Sequence, residues 1–198
     1  LEFAYQGPLL KLKNGRISFA VTGDVVFNII RNSTKIEKGY CYQTYNLDDN
    51  DQIDIISTYK SVYGYISIKG NFDLKPSWDS YSVNTKAKIG PNNGEKLSKN
   101  QKIYLNDIEG SFNTRKLNYV NSKIEYMRVI KGTNFNYFSE KSKKIFFNHE
   151  FSVSKLSDRM GMRLEGKEIE NIVNTNIKSE GLIKGVIQIP GDGNPIIM

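Results

Sequence analysis

Short runs that alternate apolar and polar residues fill the first half of the chain, and this period of two constrains the fold more than any other feature. Leu9-Leu10-Lys11-Leu12-Lys13 and Arg16-Ile17-Ser18-Phe19-Ala20-Val21 flank Asn14-Gly15, the dipeptide best suited to the positive φ angles of a type I′ turn. Together they predict a β-hairpin. Further strands are expected over residues 52–57, 62–68, 102–105 and 124–130. Helical spacing is clear only over 134–146, where Phe135, Phe138 and Ser142 recur at helical intervals and Thr133 or Asn134 is placed to cap the helix. The expected class is mainly β with few short helices.

A chain of 198 residues has room for one large domain or two small ones. Asn106 to Lys116 is polar and aperiodic, and reads as a connection between two lobes. The expected organisation is a first lobe over 1–105, a connection over 106–122 and a second lobe over 123–198. No apolar run approaches the roughly 20 residues of a membrane helix, and no targeting signal is read at the start. Cys41 is the single cysteine, which excludes a disulfide framework and cysteine-based zinc sites, and a reducing, cytoplasmic setting is expected.

The formal charge of +7 invites a polyanionic partner, but it is built from 22 Lys against 6 Arg, scattered through almost every segment. A nucleic-acid surface would concentrate Arg and aromatics on one stripe, so a solvated cationic surface is expected instead, with no nucleic-acid partner and no membrane partner. Asp48-Asp49-Asn50-Asp51-Gln52 starts like a calcium loop but has Ile53 where the sharp-turn Gly belongs and Tyr59 at the closing Glu position. Gly191-Asp192-Gly193 lacks the following Gly-Lys-Ser/Thr of a phosphate loop. His149, the single histidine, has no Ser, Cys or acid at a recognisable partner spacing, and neither it nor any other residue group suggests a metal site.

The last quarter carries the chemistry. Ser157-Asp158-Arg159-Met160-Gly161-Met162-Arg163-Leu164-Glu165-Gly166 sets two guanidinium groups four positions apart, each close in sequence to a carboxylate, with Gly161 allowing a tight bend. Such an array forms either a rigid ion-pair network locking a turn or a bidentate fork offered to a carboxylate or carbamate. Residue types alone do not separate these. Val186 to Ile189 reads as a strand that ends in the Pro190-Gly191-Asp192-Gly193 turn, followed by the start of another strand. Gln188, polar among Val and Ile and next to Asp192, either grips a small ligand or satisfies a loop backbone.

The stretches SDRMGMRLEG and SEGLIKGVIQIPGDGNPIIM, in that order and about a dozen residues apart, resemble the signature of the biotin-dependent carboxyltransferase domain family. That family includes the 5-oxoprolinase C subunit (KipA) proteins, allophanate hydrolase subunit 2 and the carboxyltransferase part of urea carboxylase. LEFAYQGPLLKLKNGRISFAVTGD, YGYISIKGNFDLKP and MRVIKGTNFNYF extend the likeness upstream. The family's Gly-Ser-x-Ser-Thr stretch is replaced by Asp79-Ser80-Tyr81-Ser82, and further family segments are expected on either side of this chain.

The resemblance implies two cyclophilin-like β-barrel lobes. It implies a KipI-like partner, the 5-oxoprolinase B subunit, joined for 5-oxoprolinase by the A subunit, in a complex coupling ATP hydrolysis to conversion of 5-oxoproline to glutamate. The alternatives it carries are biotin-dependent carboxyltransfer to urea or another small amide, and a non-catalytic regulator that binds a KipI-like protein. ATP, and biotin where it is used, would come through partner subunits, with no cofactor held by this chain alone. Arg159, Arg163 and Glu165 are then the expected catalytic residues, and Asp158, Gln188 and Asp192 the residues lining a pocket for a small amide or carboxylate substrate.

Overall fold

The computed structural model describes all residues except 107, 109–111, 119–125, 174–176 and 178–180. The chain divides into two compact units, Leu1–Lys123 and Ile124–Met198. The expected connection over 106–122 falls partly outside the described residues.

In the first unit the alternating runs become eight strands: β1 (Glu2–Ala4), β2 (Leu9–Lys11), β3 (Ile17–Thr22), β4 (Val25–Arg31), β5 (Lys35–Lys38), β6 (Thr44–Leu47), β7 (Gln52–Thr58) and β8 (Tyr63–Ile68). They form two antiparallel sheets, ordered β1-β8-β3-β6 and β2-β7-β4-β5. Period-two alternation turns one face of each sheet inward. Phe3, Ile17, Phe19, Val21, Leu47 and Ile66 of the first sheet share one core with Val25, Phe27, Ile29, Ile53 and Ile55 of the second. Burying each such side chain is worth about 1.5–3 kcal/mol. At its centre the Phe19 ring stacks on Tyr45 at 5.7 Å and meets Phe27 edge-on at 6.3 Å. The chain passes from one sheet to the other at Gly23, whose φ of 102° suits glycine.

The expected hairpin around Asn14-Gly15 does not form. Both residues take the positive φ angles of a turn, 61° and 112°, but β2 pairs with β7 (Leu10 opposite Ile53), whereas β3 pairs with β6 and β8. The segment after β2 is held instead by the 48–51 turn: Leu12 N–H donates to Asp51 O at 2.9 Å and Asn14 N–H to Asp49 Oδ1 at 2.6 Å. The turn therefore carries the chain between sheets rather than folding it back on itself.

β9 (Asn71–Phe72) and β10 (Leu105–Asn106) pair as a short antiparallel ladder that closes off residues 73–104 as one long excursion. Of the strand expected over 102–105, only Leu105 enters a ladder. The strand expected over 124–130 is absent from its described residues, 126–130, which are exposed and unpaired with any strand. Its first two residues lie outside the described part.

Among its described residues the second unit holds one α-helix, α1 (Glu140–Asn148), and a sheet of β11 (Ser152–Val153), β12 (Met162–Glu165), β13 (Ile187–Gln188) and β14 (Ile196–Ile197) in the order β11-β12-β14-β13. The helix starts later than its spacing suggests. Phe138 is extended, with ψ 139°, and bridges to Asn171, so the first turn is a separate 3-10 turn over Phe135–Tyr137. The cap is Ser139, whose Oγ accepts from Ser142 N–H at 3.1 Å, rather than Asn134 or Thr133. Ile145 on the helix and Ile169 beyond β12 are the buried aliphatic residues of this unit among those described. With antiparallel sheets in both units and one α-helix among the described residues, the mainly β class expected from the alternation holds.

Candidate functional site

The C-terminal constellation is assembled on the sheet of the second unit. Across β12, β14 and β13, Arg163 stands opposite Ile196, and Ile196 opposite Gln188. Directly paired residues project from the same face of an antiparallel sheet, so the guanidinium and the amide flank Ile196 in a single row. Two strand spacings separate their backbones by about 10 Å. Glu165, two residues along β12, shares that face and pairs in register with Ser152. Arg163, Glu165 and Gln188 are exposed, while Ile196 is half-buried.

The backbone of Arg163 is clamped from the preceding loop. Ser157 Oγ accepts from Arg163 N–H at 2.9 Å and donates to its carbonyl at 3.1 Å, and the same carbonyl accepts from Ser154 N–H at 2.9 Å. Gly161 lies where a Cβ would come within 2.6 Å of Ile196 Cγ2, so a side chain there would force Ile196 to shift. Among the described residues no carboxylate forms an ion pair with the Arg163 guanidinium, which leaves its fork available to an incoming anion.

The other expected residues hold turns. Asp158 N–H donates to Gly161 O at 3.2 Å and its Oδ1 accepts from Met160 N–H at 2.8 Å, closing the bend in which Arg159 sits. Asp192 Oδ1 accepts from Asn194 N–H at 3.1 Å, and Gly193 N–H donates to Pro190 O at 3.0 Å. Arg163, Gln188 and Glu165 therefore share one face, whereas Arg159, Asp158 and Asp192 lie in the flanking loops. Ser157, which holds the Arg163 backbone, is not singled out by sequence reasoning, because its pairing with Arg163, six residues away, depends on the loop closing back.

Two hollows of this unit, about 280 and 380 Å³, lie beside α1, lined by residues such as Ser142 and Glu170 or Phe135 and Lys143 and not by the row. The row lies on an exposed sheet face. Burial pushes the Cys41 thiol up, away from the reactive thiolate, and its Sγ donates to Val25 O at 3.3 Å. His149 is exposed at the C-terminal end of α1, and the described residues contain no cluster of metal-ligating side chains. No described helix is long and apolar enough to cross a membrane.

The family described as carboxyltransferase domain, subdomain A and B, matches residues 1–198. The chain belongs to this family. Among curated relatives, the 5-oxoprolinase C subunit of Escherichia coli is 27% identical over 138 residues, covering 68% of this chain and 43% of the relative. The 5-oxoprolinase C subunit of Haemophilus influenzae is 23% identical over 167 residues, covering 80% of this chain and 51% of the relative. The chain thus spans about half the length of the curated relatives it matches. The crystal structure of Kluyveromyces lactis urea carboxylase superposes with a TM-score of 0.80 at 19% identity, over 99% of this chain and 19% of that one. That likeness establishes a shared fold for this carboxyltransferase-family chain.

Proposed function

We propose that the chain is the core of a protein like the 5-oxoprolinase C subunit, working within a complex that couples ATP hydrolysis to conversion of 5-oxoproline to glutamate. The observation that carries this reading is the Arg163–Ile196–Gln188 row. A cyclic amide bearing a carboxylate needs a fork for the anion, an apolar seat for the ring carbons and a polar group for the amide. The row offers these side by side. In the proposed roles, Arg163 pairs with the substrate carboxylate, Gln188 meets the ring amide, and Glu165, which shares their face without pairing with Arg163 in this structure, orients the guanidinium once the substrate is seated. Arg159 is the alternative fork, held in its bend by Asp158, and Asp192 shapes the turn that borders Gln188.

Nucleotide chemistry has no evident cradle in the described residues. The Gly-rich turn at 190–193 spends Gly193 N–H on Pro190 O and is not followed by Lys-Ser/Thr, so it does not fit a triphosphate. In this reading ATP is handled by the partner subunits, of which a KipI-like protein is the first expected, and no step is routed through this chain. The family's own chemistry supports a second reading, carboxyltransfer from biotin carried on another protein to a small amide.

The test is reconstitution of the full-length protein with its partner subunits and measurement of ATP-dependent 5-oxoproline consumption. Arg163→Lys keeps the charge and loses the fork, and about 1.5–3 kcal/mol of charge-assisted bonding should go with it, a fall of roughly tenfold to a hundredfold in kcat/KM. Wild-type turnover in that variant would sink the proposed clamp. Loss of activity on adding avidin would favour the biotin-dependent reading.

A further inference from the structure

The excursion between β9 and β10 exposes an aromatic anchor that neither the core nor the Arg163 row uses. Trp78, the single tryptophan of the chain, is 85% exposed. It sits at the tip of a two-residue turn in which Trp78 and Asp79 both take left-handed φ angles, 49° and 57°. Ser77 N–H donates to Ser80 O at 2.9 Å and Ser80 N–H to Ser77 O at 3.0 Å, which locks the tip. A bulky residue is rarely held at positive φ, and here the strain serves to lift an indole into solvent.

The excursion is organised rather than loose. Its base is the β9·β10 ladder, a second reciprocal pair joins Asn84 and Ile89 (2.8 and 3.2 Å), and the Asn92 side chain donates to Glu95 O and Lys96 O while accepting from Gln101 Nε2 at 2.6 Å. Along the excursion, residues 73–104 carry six lysines, all exposed, against Asp73, Asp79 and Glu95, with Lys88 paired to Glu95. Tyr81 and Tyr104 are also largely exposed, at 62% and 66%. A hydrogen-bonded arm with an aromatic tip and an excess of exposed lysines is complementary to an acidic surface that offers an apolar pocket, and exposed Trp and Tyr are the residue types that anchor protein interfaces.

We infer that residues 73–104 form a docking arm for an acidic surface of a partner protein, with Trp78 seated in an apolar pocket there. The inference rests on the reading of the protein as part of a multi-subunit complex and adds to it the surface through which assembly occurs.

Intrinsic fluorescence tests this directly, because Trp78 is the only indole among these 198 residues. Full-length protein, with any tryptophan outside this stretch replaced by phenylalanine, is titrated with a 5-oxoprolinase B subunit whose tryptophans have been replaced in the same way. The expected result is a blue shift of the emission on binding, a loss of affinity of at least about tenfold in Trp78→Ala, a smaller loss in Trp78→Phe, and weaker binding in Lys75→Glu/Lys102→Glu and at higher salt. Far-UV circular dichroism of the variants checks that the fold is kept. Complex formation with unshifted emission and an unchanged Kd in Trp78→Ala overturns the docking arm while leaving the proposed membership of the complex intact. Failure of the wild-type protein to bind this partner overturns both. A shift produced only by anionic vesicles, or only by raising the protein's own concentration, assigns the tip to a membrane or to self-association and overturns the inference equally.

Discussion

Asp51 shows how much one side chain can organise. It is 3% exposed. Its Oδ2 accepts from Arg31 Nη1 at 2.7 Å and from Asp48 N–H at 3.1 Å, while Oδ1 accepts from Asn32 N–H at 3.0 Å. One carboxylate thus ties the β4–β5 turn to the turn that precedes β7, and Arg31 extends the link to Asn46 O at 2.6 Å on β6. Burial alone would raise the Asp51 pKa, but the bonds from Arg31, Asn32 and Asp48 outweigh it and hold the carboxyl below its ordinary value of 3.8. A carboxyl depressed in the folded state stabilises the fold above its unfolded pKa and loses that contribution as pH falls through the folded pKa. Asp51→Ala leaves Arg31 partly buried without this partner and should cost about 3 kcal/mol at neutral pH. Denaturant midpoints measured from neutral pH down to about pH 3 should show the gap between wild type and variant narrowing on the acid side. A gap independent of pH would mean that packing, not the charge, carries the effect.

At the scale of elements, the close approach of β5 to the core is a sharper constraint than strand propensity. Gly39 follows β5 and donates its N–H to Phe27 O at 2.9 Å. A Cβ there would come within 2.0 Å of Phe27 Cε2, in the middle of the aromatic cluster. Gly39→Ala should therefore destabilise the first unit by about 1–3 kcal/mol through forced repacking, seen as a lower denaturant midpoint with the tyrosine environment perturbed. An unchanged midpoint would show that Phe27 can swing aside freely. Such a requirement is invisible in the sequence, because Gly39 and Phe27 are twelve residues apart and meet only through the ladder. The same limit separates what is legible in the sequence from what is not. The apolar alternation that marks β3, β7 and β8 is local, and it reveals those strands. The partner of each strand is not local, so Asn14-Gly15 suggests a hairpin where the chain in fact changes sheets. The missing Gly and Glu that exclude a calcium loop at Asp48 to Asp51 are visible locally, but the bond from Asp51 to Arg31 spans twenty residues and leaves no signal. Arg163 and Gln188 stand out by residue type, whereas their common row depends on β14 lying between them.

For the whole molecule, the two units differ in how they are held. Among the described residues the first has eleven buried apolar residues in one cluster, drawn from both of its sheets. In the second, the buried apolar side chains among the described residues are Ile145, Ile169 and Pro195, and its strands run for two to four residues. Much of its order comes from hydrogen bonds, such as Ser142 Oγ to Glu170 O at 2.7 Å and Leu164 N–H to Pro195 O at 2.8 Å. Bonds of that kind contribute about 1 kcal/mol each and do not replace a core. Local opening follows the density of buried apolar contacts, so amide protons of β3, β4, β7 and β8 should exchange slowest. Those of α1 and β12–β14 should exchange at least about tenfold faster, a difference of roughly 1.4 kcal/mol in opening free energy. Native-state hydrogen exchange read by mass spectrometry checks this. Equal protection in the two units would mean that the second is stabilised by more than its own side chains supply. The difference also bears on the proposed function, because the Arg163 row would then sit on the more readily opened unit, where seating the proposed substrate should slow exchange of β12 and β14 more than that of β3 and β4.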